Sequence, residues 1–308
     1  MILRHDLPPE AFEWVGPDVA AREAIATPPL SYWADAWRRF RRNRVALGAL
    51  VILALMVLGV LFAPYLRPFT FDHIDLSAHN QPPSAQHWFG TDRLGRDLFV
   101  RVWVGGRISL EIGLIAAVLS LAIGVIYGGI AAFFGGMVDN IMMRIVEILY
   151  GIPFMIVVIL LMLVLGSGVM PIVVAFALTG WMGMARVVRG QILQLRNQEF
   201  VLAAETLGAS PAALIFRHLI PNTMSQIIIN LTLLIPDAIF TEAFLSFVGL
   251  GVQPPVASWG SLVSEGRLQL MQYPWQLLFP AILISITILA FNLLGDGLRD
   301  ALDPRLRQ

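Results

Sequence analysis

The chain has 308 residues, of which 57% are hydrophobic and 14% are charged, and its formal net charge is +0. This composition is too apolar for a water-facing domain, so we expect a chain that crosses a membrane several times. A net charge of zero provides no electrostatic footprint for nucleic acid, which excludes nucleic-acid binding as the leading function.

Two absences from the composition narrow the chemistry further. The chain has 0 Cys, which excludes disulfides, thiolate metal sites and cysteine nucleophiles. Its 21 basic residues are all Arg. A P-loop site needs a Lys to reach the phosphates of a nucleotide, so any ATP must be hydrolysed by a partner. His73, His79 and His87 share one segment without acidic ligands at matching spacing, so no metal site is expected.

The N-terminal segment is interpreted as a tail followed by a surface helix. Residues 1–30 lack the apolar region of a signal peptide and predict a loosely ordered cytoplasmic tail. On a helix, Trp33, Trp37 and Phe40 share one face while arginines crowd the other. This pattern predicts a helix that lies in the headgroup layer, and a plain basic flank before the first span is the alternative.

Six apolar runs are long enough to cross a bilayer. They are residues 45–63, 112–134, 141–165, 169–188, 223–248 and 277–295. The arginines that precede the first run place the N-terminus in the cytoplasm, and six crossings return the C-terminus there. The predicted fold class is all-α, a polytopic membrane protein with six transmembrane helices. The second run carries small residues at helical steps, typical of close helix packing in lipid: Gly113, Ala117, Ser120, Gly124 and Gly128.

The sequence therefore divides into five parts. They are a cytoplasmic tail (1–30), an interfacial helix with the first span (31–66), an outer loop (67–107), a core of five spans that includes a cytoplasmic loop at 199–221 (108–295), and a cytoplasmic C-terminal tail (296–308). Arg and Asp residues alternate in the outer loop, and we expect them to pair with one another.

Ionisable residues inside the apolar runs are the first candidates for function, because such groups are costly in lipid. Arg144 and Glu147 stand three residues apart and are expected to neutralise each other. Asp237 and Glu242 have no basic residue near them on their own helix. With Asn230 they are candidates for lining a translocation pathway or gate. The alternative is a structural link to a partner subunit or to the outer loop.

The loop at 199–221 has the signals of a compact helix–turn–helix. Helix formers precede Gly208, which can adopt the left-handed conformation that ends a helix. Ser210 offers an N-cap oxygen, and Pro211 suits the first position of the next helix. Pro221 is expected to stop that helix. A unit of this kind between two apolar spans predicts contact with a partner in the aqueous phase.

The same loop resembles the EAA loop of ABC importer permeases, whose pattern is E-A-A-x3-G-x9-I-x-L-P. The sequence departs from the pattern at Leu202, His218 and Ile220, which replace Glu, Ile and Leu. In that family the loop is a coupling helix that docks into a groove on the ATPase subunit. The resemblance implies a set of ATPase-coupling residues: Ala203, Ala204, Glu205, Gly208, Ala209, Ser210, Pro211 and Pro221.

Three further segments resemble the C-type permeases of dipeptide and oligopeptide ABC importers. They are HWFGTDRLGRD at 87–97 with GRISL at 106–110, EAFLSFVGLGVQPP at 242–255 with SWG at 258–260, and GDGLRDALDPR at 295–305. Val100 departs from the Ser that is usual in that branch. The resemblance extends from residue 33 to the C-terminus.

The resemblance implies several partners in the bacterial inner membrane. They are a sister permease in a heterodimer, one or two ABC ATPase subunits that bind ATP and Mg, an extracytoplasmic substrate-binding protein and membrane lipid. This chain itself is expected to bind no cofactor.

Two other function classes are alternatives. An ion-coupled secondary transporter would use intramembrane carboxylates, but the six runs show no clear inverted halves. A membrane-embedded hydrolase would need a GxSxG, HExxH or paired-aspartate motif, and the sequence has none. The substrate stays open among peptides, nickel, glutathione and oligosaccharides, all of which similar permeases carry.

Overall fold

The computed structural model describes residues 31–303, which form helices joined by mostly short loops. The helices are α1 (Tyr32–Arg42), α2 (Arg44–Phe62), α3 (Leu98–Phe134), α4 (Gly136–Tyr150), α5 (Phe154–Leu165), α6 (Val169–Leu195), α7 (Glu199–Thr206), α8 (Pro211–Phe247), α9 (Trp259–Arg267) and α10 (Trp275–Leu302). The predicted tail at 1–30 lies outside the described residues.

Within residues 31–303, five helices are long and apolar enough to cross a membrane, or six when the bent pair α4–α5 is counted as one span. The five are α2, α3, α6, α8 and α10. Among the described residues no strand forms, and the extended pairing there is an isolated bridge between Thr91 and Asp97. The predicted all-α membrane fold is therefore confirmed.

The third predicted span, 141–165, is wrong as a continuous helix. Its two halves, α4 and α5, meet at an angle of 77°. Gly151 caps α4, and Pro153 precedes α5. Because proline has no backbone N–H, the helical hydrogen-bond ladder is interrupted there, and the chain turns sharply.

Two predicted helix limits also differ from the structure. Helix α3 begins at Leu98, inside the predicted outer loop, because Asp97 caps it by accepting a hydrogen bond from the Val100 backbone N–H at 2.9 Å. Helix α10 continues to Leu302, past the predicted end of its span at 295. A window of apolar residues therefore identified the membrane-spanning part of each helix and missed its polar extension.

Helix α3 is the centre of the bundle and packs against α6 and α8. A Cβ at Gly128 would overlap the carbonyl oxygen of Ala185 on α6, and one at Gly113 would lie 2.9 Å from the Ile239 side chain on α8. The small residues of α3 thus permit close helix contacts, as the sequence predicted.

Helix α1 packs against α8 near Ser225 and against the C-terminal end of α10. The Tyr32 hydroxyl lies 2.5 Å from Ser225 Oγ and donates to the Leu302 carbonyl at 3.1 Å. Trp33 and Trp37 are both 53% exposed, whereas Phe40 is buried. Trp37 and Phe40 do share one face of the helix, since their rings stack with centroids 5.7 Å apart. Phe40 packs inward while the two indoles are exposed, and the position of this helix in the headgroup layer stays a prediction.

The outer loop folds around a buried ionic network, as the alternating Arg and Asp residues predicted. Arg101 is fully buried, and its Nη1 donates to Asp92 at 2.5 Å and to Glu265 at 3.0 Å. Arg96 Nε donates to the same Asp92 carboxylate at 2.7 Å. The network ties the outer loop and the start of α3 to α9.

A turn next to this network is held by Asp75. Its carboxylate accepts hydrogen bonds from the Ser77 hydroxyl at 2.5 Å and from the Ser77 backbone N–H at 3.0 Å. The Ser77 hydroxyl bond is the main reason why the pKa of Asp75 is below its ordinary value. A Cβ at Gly95, where φ is +73°, would overlap the Asp75 carbonyl oxygen, so this position requires glycine.

Candidate functional site

The helix–turn–helix at 199–221 forms at the end of the bundle where α6 finishes and α8 starts. Gly208 has a φ of +84°, the left-handed conformation predicted for it. The Ser210 hydroxyl accepts a hydrogen bond from the Ala213 backbone N–H at 3.3 Å, and Pro211 occupies the first turn. Both predicted caps are therefore present.

The outer surface of this hairpin is apolar and exposed. Leu207 at the turn is 88% exposed, Leu202 is 49% exposed and Phe216 is 56% exposed. Ala203 and Glu205 are exposed beside them. We call this set the hairpin surface.

Two of the predicted coupling residues face the other way. Ala204 and Ala209 are partly buried and pack against an internal cluster that contains Val201 and Leu214. The methyl group of Ala204 contributes to the base that holds the hairpin in place, and its role in ATPase coupling stays a prediction.

Pro221 does not stop the second helix, contrary to the sequence-based expectation. A π-helical turn spans Leu214–Leu219, and the Ile220 N–H bonds to the Ile215 carbonyl. The wider turn shifts the hydrogen bonds by one residue just before the proline, so the helix continues to Phe247. The hairpin is therefore joined to a membrane span by one continuous helix.

Asp237 opens into a cavity of about 540 Å³ between α8, α6 and the α4–α5 bend. Its carboxylate is exposed and makes no hydrogen bond or ion pair with any residue that the structure describes. The other lining residues are apolar or neutral: Tyr150, Ile152, Pro153, Phe154, Met155, Phe176, Thr179, Gly180, Met182, Thr241, Phe244 and Leu245.

Glu242 lies elsewhere, although it is on the same helix. It is fully buried, and its carboxylate accepts hydrogen bonds from Ser109 on α3 at 2.9 Å, Ser246 at 2.7 Å and Ser258 at 2.6 Å. This geometry supports the alternative of a structural link, here to the segment that caps α9, and a role of Glu242 in a pathway or gate stays a prediction. Asn230 also lies away from the cavity, where its side-chain amide donates to the Gln226 carbonyl at 2.8 Å.

A second cavity, of about 700 Å³, lies further along α4 and α6 toward the hairpin. It is lined by Asn140, Met143, Arg144, Glu147, Arg186 and Arg189. Arg144 and Glu147 pair at 2.9 Å, as predicted, and both are exposed.

Sequence reasoning missed Arg186 and Arg189. Arg189 donates two hydrogen bonds to Asp139, at 2.5 and 2.6 Å, and the Arg186 guanidinium lies 4.4 Å from the centroid of the Tyr150 ring. Arg186 falls inside a predicted span, so the rule that charges within spans are functional candidates identifies it when applied to every residue.

A bundle of apolar helices, with cavities between α4 and α6 and a capped hairpin exposed at one end, defines a multi-pass membrane protein. A family model described as "Binding-protein-dependent transport system inner membrane component" matches residues 120–308, and another, "N-terminal TM domain of oligopeptide transport permease C", matches residues 31–83. The chain belongs to the family of binding-protein-dependent transport system inner membrane components.

Curated relatives are similar over nearly their whole length. The chain is 52% identical to the oligopeptide transport system permease protein of Bacillus subtilis, with 98% of this chain and 99% of the relative covered. It is also 52% identical to the dipeptide transport system permease protein of the same organism, over 93% and 90%. A glutathione transport system permease protein of Escherichia coli is 42% identical over 89% and 91%.

A solved structure has the same fold at low sequence identity. An inward-facing form of the MetNI methionine ABC transporter aligns with a TM-score of 0.53 and 18% identity, covering 67% of this chain and 96% of that chain. Family and fold therefore identify an ABC importer permease, and the alternative of an ion-coupled secondary transporter is not supported.

Proposed function

We propose that this chain is one permease of an ATP-driven importer of di- or oligopeptides. It pairs with a sister permease in a heterodimer, binds one or two ABC ATPase subunits that hold ATP and Mg, and receives substrate from an extracytoplasmic binding protein. The peptide assignment rests on the named substrates of relatives that cover at least 90% of both chains.

The main support for a role in coupling to the ATPase is the exposed, apolar hairpin surface. An 88% exposed leucine at the tip of a capped turn is costly in water, and burying a side chain of this size gains about 1.5–3 kcal/mol. The hairpin is rigidly connected to the pathway helix α8 through the π turn. A displacement of the hairpin by the ATPase would therefore be transmitted to α8, the helix that contains Asp237.

The proposed orientation places the hairpin and both termini in the cytoplasm of a bacterial inner membrane. Helix α1 ends with Arg39, Arg41 and Arg42 immediately before the first span. The excess of arginine at this end follows the positive-inside rule. The ionic network of Arg101 then lies on the outer side, where it shapes the surface offered to the binding protein.

The test is Leu207→Asp in the assembled transporter. Leu207 has few contacts within its own chain, so the permease should insert at its normal level while its association with the ATPase weakens at least about tenfold. Co-purification of the ATPase subunits and ATP-dependent uptake of a radiolabelled tripeptide should both fall. Met271→Asp is the matched control for co-purification of the ATPase, because Met271 is 95% exposed and the proposed orientation puts it on the opposite side of the membrane from the hairpin.

Normal co-purification of the ATPase subunits and normal peptide uptake in the Leu207→Asp transporter would contradict the proposal that the hairpin couples the permease to the ATPase. Peptide uptake that continues after ATP depletion, driven by an ion gradient, would remove the ATP-driven mechanism itself.

A further inference from the structure

Asp237 stands out because its environment lacks any group that would balance its charge. It lies on a membrane-spanning helix, between apolar residues on both sides in the sequence, and its carboxylate is exposed. A carboxylate facing lipid costs several kcal/mol, so this face of α8 must meet water, a ligand or a partner subunit.

The bend between α4 and α5 gives independent evidence about the same face. Gly151, Ile152 and Pro153 are all exposed, and two of them line the Asp237 cavity. Non-helical backbone at membrane depth is tolerated only where it is buried in protein or lines a water-filled cavity. A broken helix and an unpaired carboxylate therefore open into one space, and that space is not filled by lipid.

The lining of this cavity has a simple charge pattern. Asp237 is its one charged residue among those the structure describes, and Tyr150, Thr179 and Thr241 contribute neutral hydroxyls. The guanidinium of Arg186 lies 4.4 Å from the centroid of the Tyr150 ring and lines the second cavity instead. The cavity thus offers a single negative charge to whatever enters it.

The rest of the wall suits an apolar body of variable shape. Phe154 on α5 and Phe176 on α6 lie 4.9 Å apart between ring centroids, and Met155 and Met182 line the wall beside them. Methionine side chains are flexible and polarisable, and they adapt to ligands of different shape. A volume of about 540 Å³ is within the range of pockets that hold small ligands.

We infer that the Asp237 cavity is a subsite for a primary ammonium group, and specifically for the free α-amino end of a peptide as it passes through the permease. This inference rests on the proposed function, since it assumes that peptides traverse this face. The α-amino group is the feature that peptides of any sequence share, so one fixed carboxylate with an adaptable apolar wall can serve many of them.

The experiment compares two peptides and four proteins in proteoliposomes that contain the whole transporter and its binding protein. The peptides are trialanine and N-acetyl-trialanine, each radiolabelled. The proteins are the wild type, Asp237→Asn, Asp237→Glu and Glu147→Gln. Glu147 is the matched control, because it is an exposed carboxylate in the neighbouring cavity that is already paired with Arg144.

Asp237→Asn should lower uptake of trialanine at least tenfold and change uptake of the acetylated peptide less than threefold. Because the same binding protein delivers the peptides to every variant, its own preference cancels in this comparison. Asp237→Glu should restore most of the uptake of trialanine, and Glu147→Gln should leave the ratio of the two peptides unchanged.

Three results would overturn the inference. Unchanged trialanine uptake in Asp237→Asn would show that no ammonium group depends on this carboxylate. An equal fall for both peptides would indicate a general role in gating. Loss of the sister permease on purification would show that Asp237 pairs with that subunit. In the first case ATP-dependent uptake persists, so the proposed function survives the failure of the subsite.

Discussion

Replacing Glu242 with Ala should destabilise the end of the protein that contains α9 while leaving the Asp237 cavity intact. Glu242 holds together α3, α8 and the cap of α9 through the hydroxyls of Ser109, Ser246 and Ser258. The substitution removes the acceptor for all three hydroxyl groups at a site that is fully buried.

The size of the effect follows from these contacts. Each hydrogen bond contributes about 1 kcal/mol net, and the space left by the side chain adds about 1 kcal/mol, so Glu242→Ala should cost about 4 kcal/mol. Glu242→Gln keeps the volume and one oxygen, and should cost about 1 kcal/mol. Ser258→Ala removes one of these bonds and the cap of α9, and should cost about 2 kcal/mol.

Thermal unfolding of the purified permease complex in detergent measures these differences. A loss of about 4 kcal/mol corresponds to a decrease in Tm of roughly 10 °C, and Glu242→Gln should lower the Tm by only about 3 °C. The double variant Glu242→Ala with Ser258→Ala should be less destabilised than the sum of its parts, because both changes remove the same bond. Strict additivity, or an unchanged Tm for Glu242→Ala, would contradict the proposal that Glu242 holds these three helices together through its serine hydrogen bonds.

Further predictions concern the outer loop and the orientation. Arg101→Met should lower stability by about 3 kcal/mol, seen as a fall in Tm, because it leaves the buried Asp92 and the partly exposed Glu265 with one cation fewer; an unchanged Tm would contradict the network. Cysteines introduced at the exposed positions Ser84 and Val256 should react with an impermeant maleimide in intact cells, and a cysteine at Ala212 should not. Labelling of the cysteine at Ala212 would contradict the proposed orientation. Ala257, beside Val256, is fully buried and unsuitable for labelling.

The sequence could predict what neighbouring residues determine. Apolar runs located the five continuous spans and the bent pair α4–α5, since the cost of exposing polar groups to lipid acts on each segment separately. The caps at Gly208 and Ser210 could also be predicted from the sequence, because a left-handed glycine and an N-cap serine act within one turn of the chain.

The features that sequence reasoning missed depend on distant partners or on geometry between turns. The partners of Glu242 on other helices, Ser109 and Ser258, are 133 and 16 residues away in the chain. The passage of α8 through Pro221 needs a π turn, which has no simple residue signature. The burial of Phe40 depends on α10 packing beside α1, which the pattern within α1 does not reveal.

Asp237 and Glu242 show why a carboxylate in a span does not define its own role. They are five residues apart on one helix, so they point about 140° away from each other around its axis. Glu242 contacts three serines, and Asp237 faces an open cavity. Substituting each carboxylate by its amide removes the same charge from the same helix, so any difference between the variants must come from what each group faces. Asp237→Asn should therefore change the preference for a free amino end at constant Tm, and Glu242→Gln should lower the Tm slightly at constant preference. A reversal of these two outcomes would mean that α8 is rotated in the assembled transporter.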